Sequence, residues 1–369
     1  MSDTQKTRSF GLARTRVRSV VAAAILATAT SCQTVPCQEC ARAQDNVKVE
    51  NHTAASLTDR AATPTESAPT EPRPGDRLPR RGDEISIAGQ LFHTGTRVVL
   101  WNDVGGYDAY RAHCHFRPED RGPSSKPEAA ARFDSLRRGL AAPLETRVRA
   151  QGWTLEDLQQ AVTQVVVHYD VAGTSDNCFR VLHDIRGLSV HFLLDLDGTL
   201  YQTLDVKERA WHAAVANDRS VGIEIASLGA YRSEAELQRR YRTVGGEVVI
   251  EASGGQEAGG LPAGFASRPA RPGVWRGAVH GIDYYQYDFT EAQYQTLEKL
   301  LVTLLRVLPE IEPRVPRDAS GNLVWSTLDN EAREFRGVLG HYHITTDKQD
   351  PGPAFDWERI ERVLLAEAQ

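Results

Sequence analysis

Residues of three kinds, split between two distant parts of the chain, could hold a hydrolytic metal ion. Gly340-His341-Tyr342-His343-Ile344 runs into Lys348-Gln349-Asp350-Pro351-Gly352-Pro353, and a lone histidine far upstream ends Val165-Val166-Val167-His168. A catalytic Zn2+ takes three protein ligands, commonly imidazole nitrogens with a carboxylate, and leaves a fourth position for water. His168, His341 and Asp350 would supply two nitrogens and one oxygen. Spacing alone does not settle this set, because no local H-E-x-x-H motif is present. A strand-end histidine taken alone is more often packed or solvent-facing than a ligand. His343 competes with His341, since residues i and i+2 of a strand share a face.

A carboxylate stands out between these ends. In Val221-Gly222-Ile223-Glu224-Ile225 the apolar residues alternate, so Glu224 and Gly222 face away from them. A carboxylate on a central strand is costly unless that face is a cleft or supplies a partner.

The wider constellation narrows the reading. His191-Phe192-Leu193-Leu194-Asp195-Leu196-Asp197-Gly198-Thr199-Leu200-Tyr201-Gln202 is followed by Glu208-Arg209-Ala210-Trp211-His212-Ala213 and then by Asn217 through Ile225. In that order these segments closely resemble the zinc-dependent N-acetylmuramoyl-L-alanine amidase family, which includes phage T7-type lysozyme and the peptidoglycan recognition proteins. The resemblance covers about residues 150 to 369. It implies an α/β fold, a central mixed β-sheet flanked by helices with zinc in a surface groove. It also implies hydrolysis of the amide between N-acetylmuramic acid and L-alanine in peptidoglycan or muropeptides, with Zn2+ as cofactor.

The resemblance assigns residues as well. His168, His341 and Asp350 match the metal ligands, and the family ligand follows a glycine, which favours His341 over His343. Glu224 matches the catalytic glutamate that would move protons between water and the leaving amine. Lys348 matches a lysine that would stabilise the oxyanion, and His212 matches a site-lining position expected to contact substrate. One departure is the spacing of nine from His341 to Asp350, one residue shorter than in the bacterial recycling amidases. That could mean a shorter loop, or could shift the choice of ligand. Two other functions share much of this pattern: a peptidoglycan-binding module without catalysis, and a zinc peptidoglycan endopeptidase. The presence of both Asp350 and Glu224 argues for catalysis.

The remaining histidines, cysteines and tyrosines carry weaker signals. His183, in an expected helix, reads as structural, and His93, His113 and His115 are unassigned. Cys114 between two histidines lacks a fourth ligand, and a Cys114–Cys178 bridge is the expected pairing if Cys32 is lipidated. Tyr284, Tyr285 and Tyr287 are candidates for saccharide contact, whereas Trp211 and Tyr201 read as core or rim aromatics.

The chain has 369 residues, 41% hydrophobic and 25% charged, with a net charge of −6. That balance suits a soluble domain and argues against general nucleic-acid binding. Residues 1–32 read as an export signal: Lys6, Arg8, Arg14, Arg16 and Arg18 precede an apolar run too short to span as a mature helix. The run ends Ala29-Thr30-Ser31-Cys32, which resembles a lipoprotein cleavage box, with simple secretion as the alternative. A lipid on Cys32 would anchor a periplasm-facing, monomeric enzyme to the membrane surface. Residues 33–84, with Thr63-Pro64-Thr65-Glu66-Ser67, read as a disordered tether.

The elements that must position the site follow from local patterns. Ile85 to Trp101 alternates toward strand character and begins an N-terminal extension, 85–150, packed on the catalytic domain, 151–369. Thr154-x-x-Asp157 starts a short helix, and Val165–Val167 suit a buried strand carrying His168. Asp197-Gly198 marks a hairpin between 190–196 and 200–204. Thr290-x-x-Gln293 caps a helix with Tyr294, Leu297, Leu301, Leu304 and Leu308 on one face. The Gly-, Pro- and Arg-rich stretch at about 240–282 reads as a long loop insertion near the site.

Overall fold

The computed structural model describes residues 80–121, 124, 127, 130–252 and 259–367. The expected export signal, the expected Cys32 box and nearly all of the expected tether lie outside the described residues. The N-terminal extension carries β1 (Glu84–Ile87), β2 (Gln90–His93), β3 (Val98–Leu100), α1 (Pro118–Arg121), β4 (Phe133–Asp134) and α2 (Ala142–Gln151). The chain continues through α3 (Leu155–Ala161), β5 (Gln164–Tyr169), α4 (Ser175–Phe179), β6 (Phe192–Leu194), β7 (Leu200–Gln202), β8 (Arg209–Ala210) and β9 (Ser220–Ile225). Between α4 and β6 a π-helical segment spans Arg180–Arg186. After β9 come α5 (Glu234–Gln238), β10 (Arg242–Val244), β11 (Glu247–Glu251), β12 (Ala266–Ser267), β13 (Trp275–Val279) and β14 (Ile282–Gln286). The last elements are α6 (Glu291–Val307), β15 (Gly337–Gly340) and α7 (Trp357–Glu367).

Six strands form the mixed central sheet in the order β15-β5-β9-β6-β7-β3. Neighbours are parallel except for β6 and β7, which form the hairpin marked by Asp197-Gly198. Strand alternation divides the sheet into two faces. Val165, Val167, Phe192, Leu194, Val221 and Ile223 join one core with Leu297, Leu301 and Leu304 of α6 and Ile360 and Leu364 of α7. Truncating one of these buried leucines to alanine costs about 2–5 kcal/mol. On the opposite face Val166 and Leu339 pack with Ala213 and Ala216, and His168 and Glu224 leave the sheet beside them.

Local caps hold the frame. Thr154 and Asp157 form a capping box on α3, and Thr290 and Gln293 form one on α6. The Thr290 hydroxyl also donates to the Leu196 carbonyl at 2.9 Å, tying α6 to the β6–β7 turn.

Two expectations need correction. The stretch read as a long loop is built: β10, β11 and β12 form one small sheet, and β13 and β14 form an antiparallel hairpin from Trp275↔Gln286 to Val279↔Ile282. Strand β13 alternates exposed with more buried positions, so Arg276 is exposed and Gly277 sits where Pro353 approaches closely. Cys114 and Cys178 are both buried free thiols. The extension contributes β3 to the edge of the central sheet, paired with β7.

Candidate metal centre

His168 and Glu224 sit on neighbouring parallel strands, and His341 opens the turn after β15, which lies on the other side of β5. Asp350 returns on the loop before α7. Three atoms converge: His168 Nδ1 lies 3.0 Å from His341 Nδ1 and 2.9 Å from Asp350 Oδ2, and His341 Nδ1 lies 3.0 Å from Asp350 Oδ2. Hydrogen bonds alone serve this triangle poorly. If Oδ2 accepted from both rings, two N–H groups would face each other at 3.0 Å. Three lone pairs directed at one cation remove that conflict, and atoms so close can each lie about 2.0–2.2 Å from a zinc ion. The donor set therefore fits zinc.

The electrostatics favour the deprotonated forms of His168 and Asp350. Burial and the neighbouring His341 lower the His168 imidazole to about 4. Burial works to raise the Asp350 carboxyl, but His341 and hydrogen bonds from both histidines hold it below the usual carboxylate range.

The far side of His168 is also engaged. Its Nε2 lies 3.0 Å from His212 Nδ1, and His212 Nε2 lies 3.1 Å from Ser220 Oγ. With Nδ1 of His168 given to the metal, its proton belongs on Nε2 and donates to His212, whose own Nε2–H donates to Ser220. Such partners fix a ligand's tautomer and ring orientation. Gly222 makes room for this relay, since a Cβ there would lie 2.6 Å from the His212 ring. Asn217 Oδ1 accepts from the backbone N–H of His212 at 3.1 Å and of Ala213 at 2.6 Å. His212 thus lines the cavity and also holds a candidate ligand, a contact that no local pattern announces.

The triangle borders a cavity of about 540 Å3 that is also lined by Glu224, Lys348, Arg186, Trp211 and His212. Burial drives the Glu224 carboxyl well above its usual range, Asp350 and Asp170 add to this, and Arg186 and Lys348 oppose it. Glu224 Oε2 is buried with no hydrogen-bond partner. A carboxylate oxygen in that state suits exchange of a proton with a small molecule in the cavity.

Other candidates fall elsewhere. His343 belongs to a 3-10 turn, His341–His343, not to a strand, so it does not share the face of His341. Its Nδ1 accepts from the Gly340 N–H and its Nε2 donates to the Val324 carbonyl, both at 2.9 Å. His183 is buried between Asp184 and the Arg111 carbonyl. Tyr284, Tyr285 and Tyr287 do not line the cavity; Tyr284 and Tyr287 are buried. Cys178 does line it, as a thiol that burial keeps protonated. A second group of metal-capable side chains, Asp83, Glu84 and His93, is occupied internally: Glu84 accepts from three backbone N–H groups and Asp83 pairs with His93.

Sequence reasoning missed Arg137. Its fully buried guanidinium donates to the carbonyls of Val206, Glu208, Asn217 and Ser220 at 2.7–3.2 Å. It ties the extension to the turn that carries His212.

A family model described as N-acetylmuramoyl-L-alanine amidase matches residues 158–353. The 1,6-anhydro-N-acetylmuramyl-L-alanine amidase AmpD of Salmonella typhimurium LT2 is 28% identical over 180 residues, covering 48% of this chain and 58% of that protein. AmpD of Escherichia coli K12 is 25% identical over 188 residues, covering 48% and 59%. The chain thus spans less than two thirds of the length of the curated relatives it matches. Among solved structures, AmpDh3 of Pseudomonas aeruginosa in complex with anhydromuramic pentapeptide is 18% identical, covers 55% of this chain and 59% of that one, and has a TM-score of 0.33. The AmiD amidase of E. coli, in complex with an anhydro-N-acetylmuramic acid peptide, is 19% identical, covers 55% and 57%, and has a TM-score of 0.32.

Proposed function

The chain belongs to the N-acetylmuramoyl-L-alanine amidase family, and from that premise we propose that it hydrolyses the amide between the lactyl group of N-acetylmuramic acid and L-alanine in peptidoglycan or muropeptides. His168, His341 and Asp350 would hold a zinc ion. The observation that carries this reading is the convergence of their three donor atoms, within 3.0 Å of one another, in the wall of the cavity that Glu224 and Lys348 also line. The names of the AmpD relatives support a muramoyl-peptide substrate class.

Zinc bound there supplies a Lewis acid that polarises the scissile carbonyl and acidifies the attacking water. Glu224 takes a proton from that water as its oxygen bonds to the carbonyl carbon. The C–N bond then breaks, and Glu224 passes the proton to the leaving nitrogen, which becomes the free amine of L-alanine. The raised affinity of this carboxyl for a proton suits both halves of the transfer. Lys348 places an ammonium in the same cavity, where it stabilises negative charge developing on the carbonyl oxygen. His212, through His168 Nε2, keeps the ligand ring turned toward the metal position.

Residues 1–32 direct export in this reading, with Cys32 as a lipid anchor and residues 33–84 as a tether, so that a monomeric enzyme acts from the envelope surface. Among the described residues no helix is long and apolar enough to cross a membrane. The reading is tested by stripping the metal with a chelator and adding zinc back: release of stem peptides from a muropeptide should disappear and return. Undiminished release by protein shown to be metal-free would overturn it.

A further inference from the structure

We propose that the hairpin β13–β14 is a brace for the loop carrying Lys348 and Asp350, with His280 and Gln286 as positioning residues; this rests on the reading of that loop as part of the metal and catalytic site. Three contacts along the hairpin meet the loop in turn. At the tip, His280 Nε2 donates to the Lys348 carbonyl at 2.9 Å, while the His280 backbone N–H donates to the Trp325 carbonyl at 2.9 Å. On β13, Gly277 faces Pro353 so closely that a Cβ there would lie 2.8 Å from the proline Cβ. At the base, the fully buried Gln286 donates from Nε2 to the Pro351 carbonyl and accepts at Oε1 from the Ala354 N–H, both at 3.0 Å.

These contacts bracket Asp350. The backbone is held at 348 on one side and at 351, 353 and 354 on the other, and the Asp350 carbonyl accepts from Tyr342 N–H at 3.2 Å. The loop has little to hold itself with, because Pro351 and Pro353 lack N–H donors. A carboxylate that must meet two imidazoles at 2.9–3.0 Å gains from a backbone already fixed, since ordering it during metal or substrate binding would cost conformational entropy.

His280 itself points to a specific purpose. It has φ 53°, in the left-handed region, and is followed by Gly281. Turn chemistry alone favours Gly or Asn at such a position. What histidine adds is a ring whose Nε2 reaches the Lys348 carbonyl. The hairpin lies in the stretch between β9 and α6, so this insertion serves the site without lining its cavity.

The test uses the full chain and reads backbone hydrogen exchange in metal-free protein together with zinc retention against a competing chelator. His280→Ala should speed exchange of the Tyr342 amide, which donates to the Asp350 carbonyl, and of the Ala354 amide, which donates to Gln286, by about tenfold or more while β5 and β9 keep wild-type protection. It should also weaken zinc retention by about tenfold. His280→Gln, whose amide nitrogen can occupy the position of the ring Nε2, should restore both. Gly277→Ala, which pushes at Pro353 instead, should move both readouts in the same direction as His280→Ala. Wild-type loop exchange and zinc retention in His280→Ala and Gly277→Ala would overturn the brace, as would acceleration spread equally over β5 and β9. Exchange does not depend on turnover, so a wild-type protein inactive on muropeptides but with this exchange pattern would refute the amidase reading and leave the brace standing.

Discussion

His168 and Glu224 are register partners on adjacent parallel strands, β5 and β9, and their side chains leave the sheet on the same face. The pairing places a candidate metal ligand beside a candidate proton carrier without making the second part of the metal set. Glu224→Gln keeps shape and removes the proton acceptor. Zinc content should stay at the wild-type level while turnover falls by roughly 10²-fold or more. Metal analysis beside steady-state kinetics checks this; near-normal turnover would remove Glu224 from the chemistry, and lost zinc would move it into the metal shell.

The two neighbouring histidines should behave oppositely. His341→Ala removes a corner of the triangle and should abolish zinc binding and hydrolysis. His343→Ala breaks two hydrogen bonds to backbone and should lower stability by about 1–3 kcal/mol while zinc stoichiometry is kept. The reverse pattern of metal content would show that the ligand had been misassigned.

His212 separates a positioning role from substrate contact alone. If its ring fixes His168 through Nε2, His212→Ala should weaken zinc affinity by about 10–100-fold. If it only touches substrate, zinc affinity stays unchanged and KM rises. A chelator titration of the variant distinguishes the two.

Two buried histidines outside the ligand set predict an acid-side loss of stability. Burial, joined by Arg137 at His191, pushes the imidazoles of His191 and His343 down to about 3. In the unfolded chain they titrate near about 6.5. Above that pH both states are neutral and these residues contribute no slope. As pH falls from about 6.5 toward 3 the unfolded chain takes up protons that the folded chain refuses, so stability drops by up to ~1.4 kcal/mol per pH unit for each group. Denaturant midpoints of metal-free protein between about pH 7.5 and 4.5 should show this, and His343→Gln should flatten the slope by up to one proton. An unchanged slope in that variant would contradict the assignment.

Much of this frame was legible because its signals are local. The β-branched run before His168 reads as a buried strand, the Thr290-x-x-Gln293 box starts α6 where expected, and strict alternation in β9 puts Gly222 and Glu224 on the site face. What stayed hidden depends on contacts between distant segments. His343 could be separated from His341 only by the 3-10 turn that carries both. Strands β13 and β14 sit in a stretch whose glycines and arginines resemble a loop, and their order comes from pairing with each other and packing on the ligand loop. Arg137 gives no periodic signal, yet its four carbonyl contacts join the extension to the His212 turn.

The identity of the bond that is cut can be read from the mass of the products. Purified protein with bound zinc would be incubated in parallel with sacculi and with soluble anhydro-muropeptides. Amidase cleavage should release intact stem peptides beginning with a free L-alanine amine, together with muramoyl products that have lost their peptide and carry a free lactyl carboxylate. Peptides cut between amino acids, or binding to either substrate without any product, would contradict it.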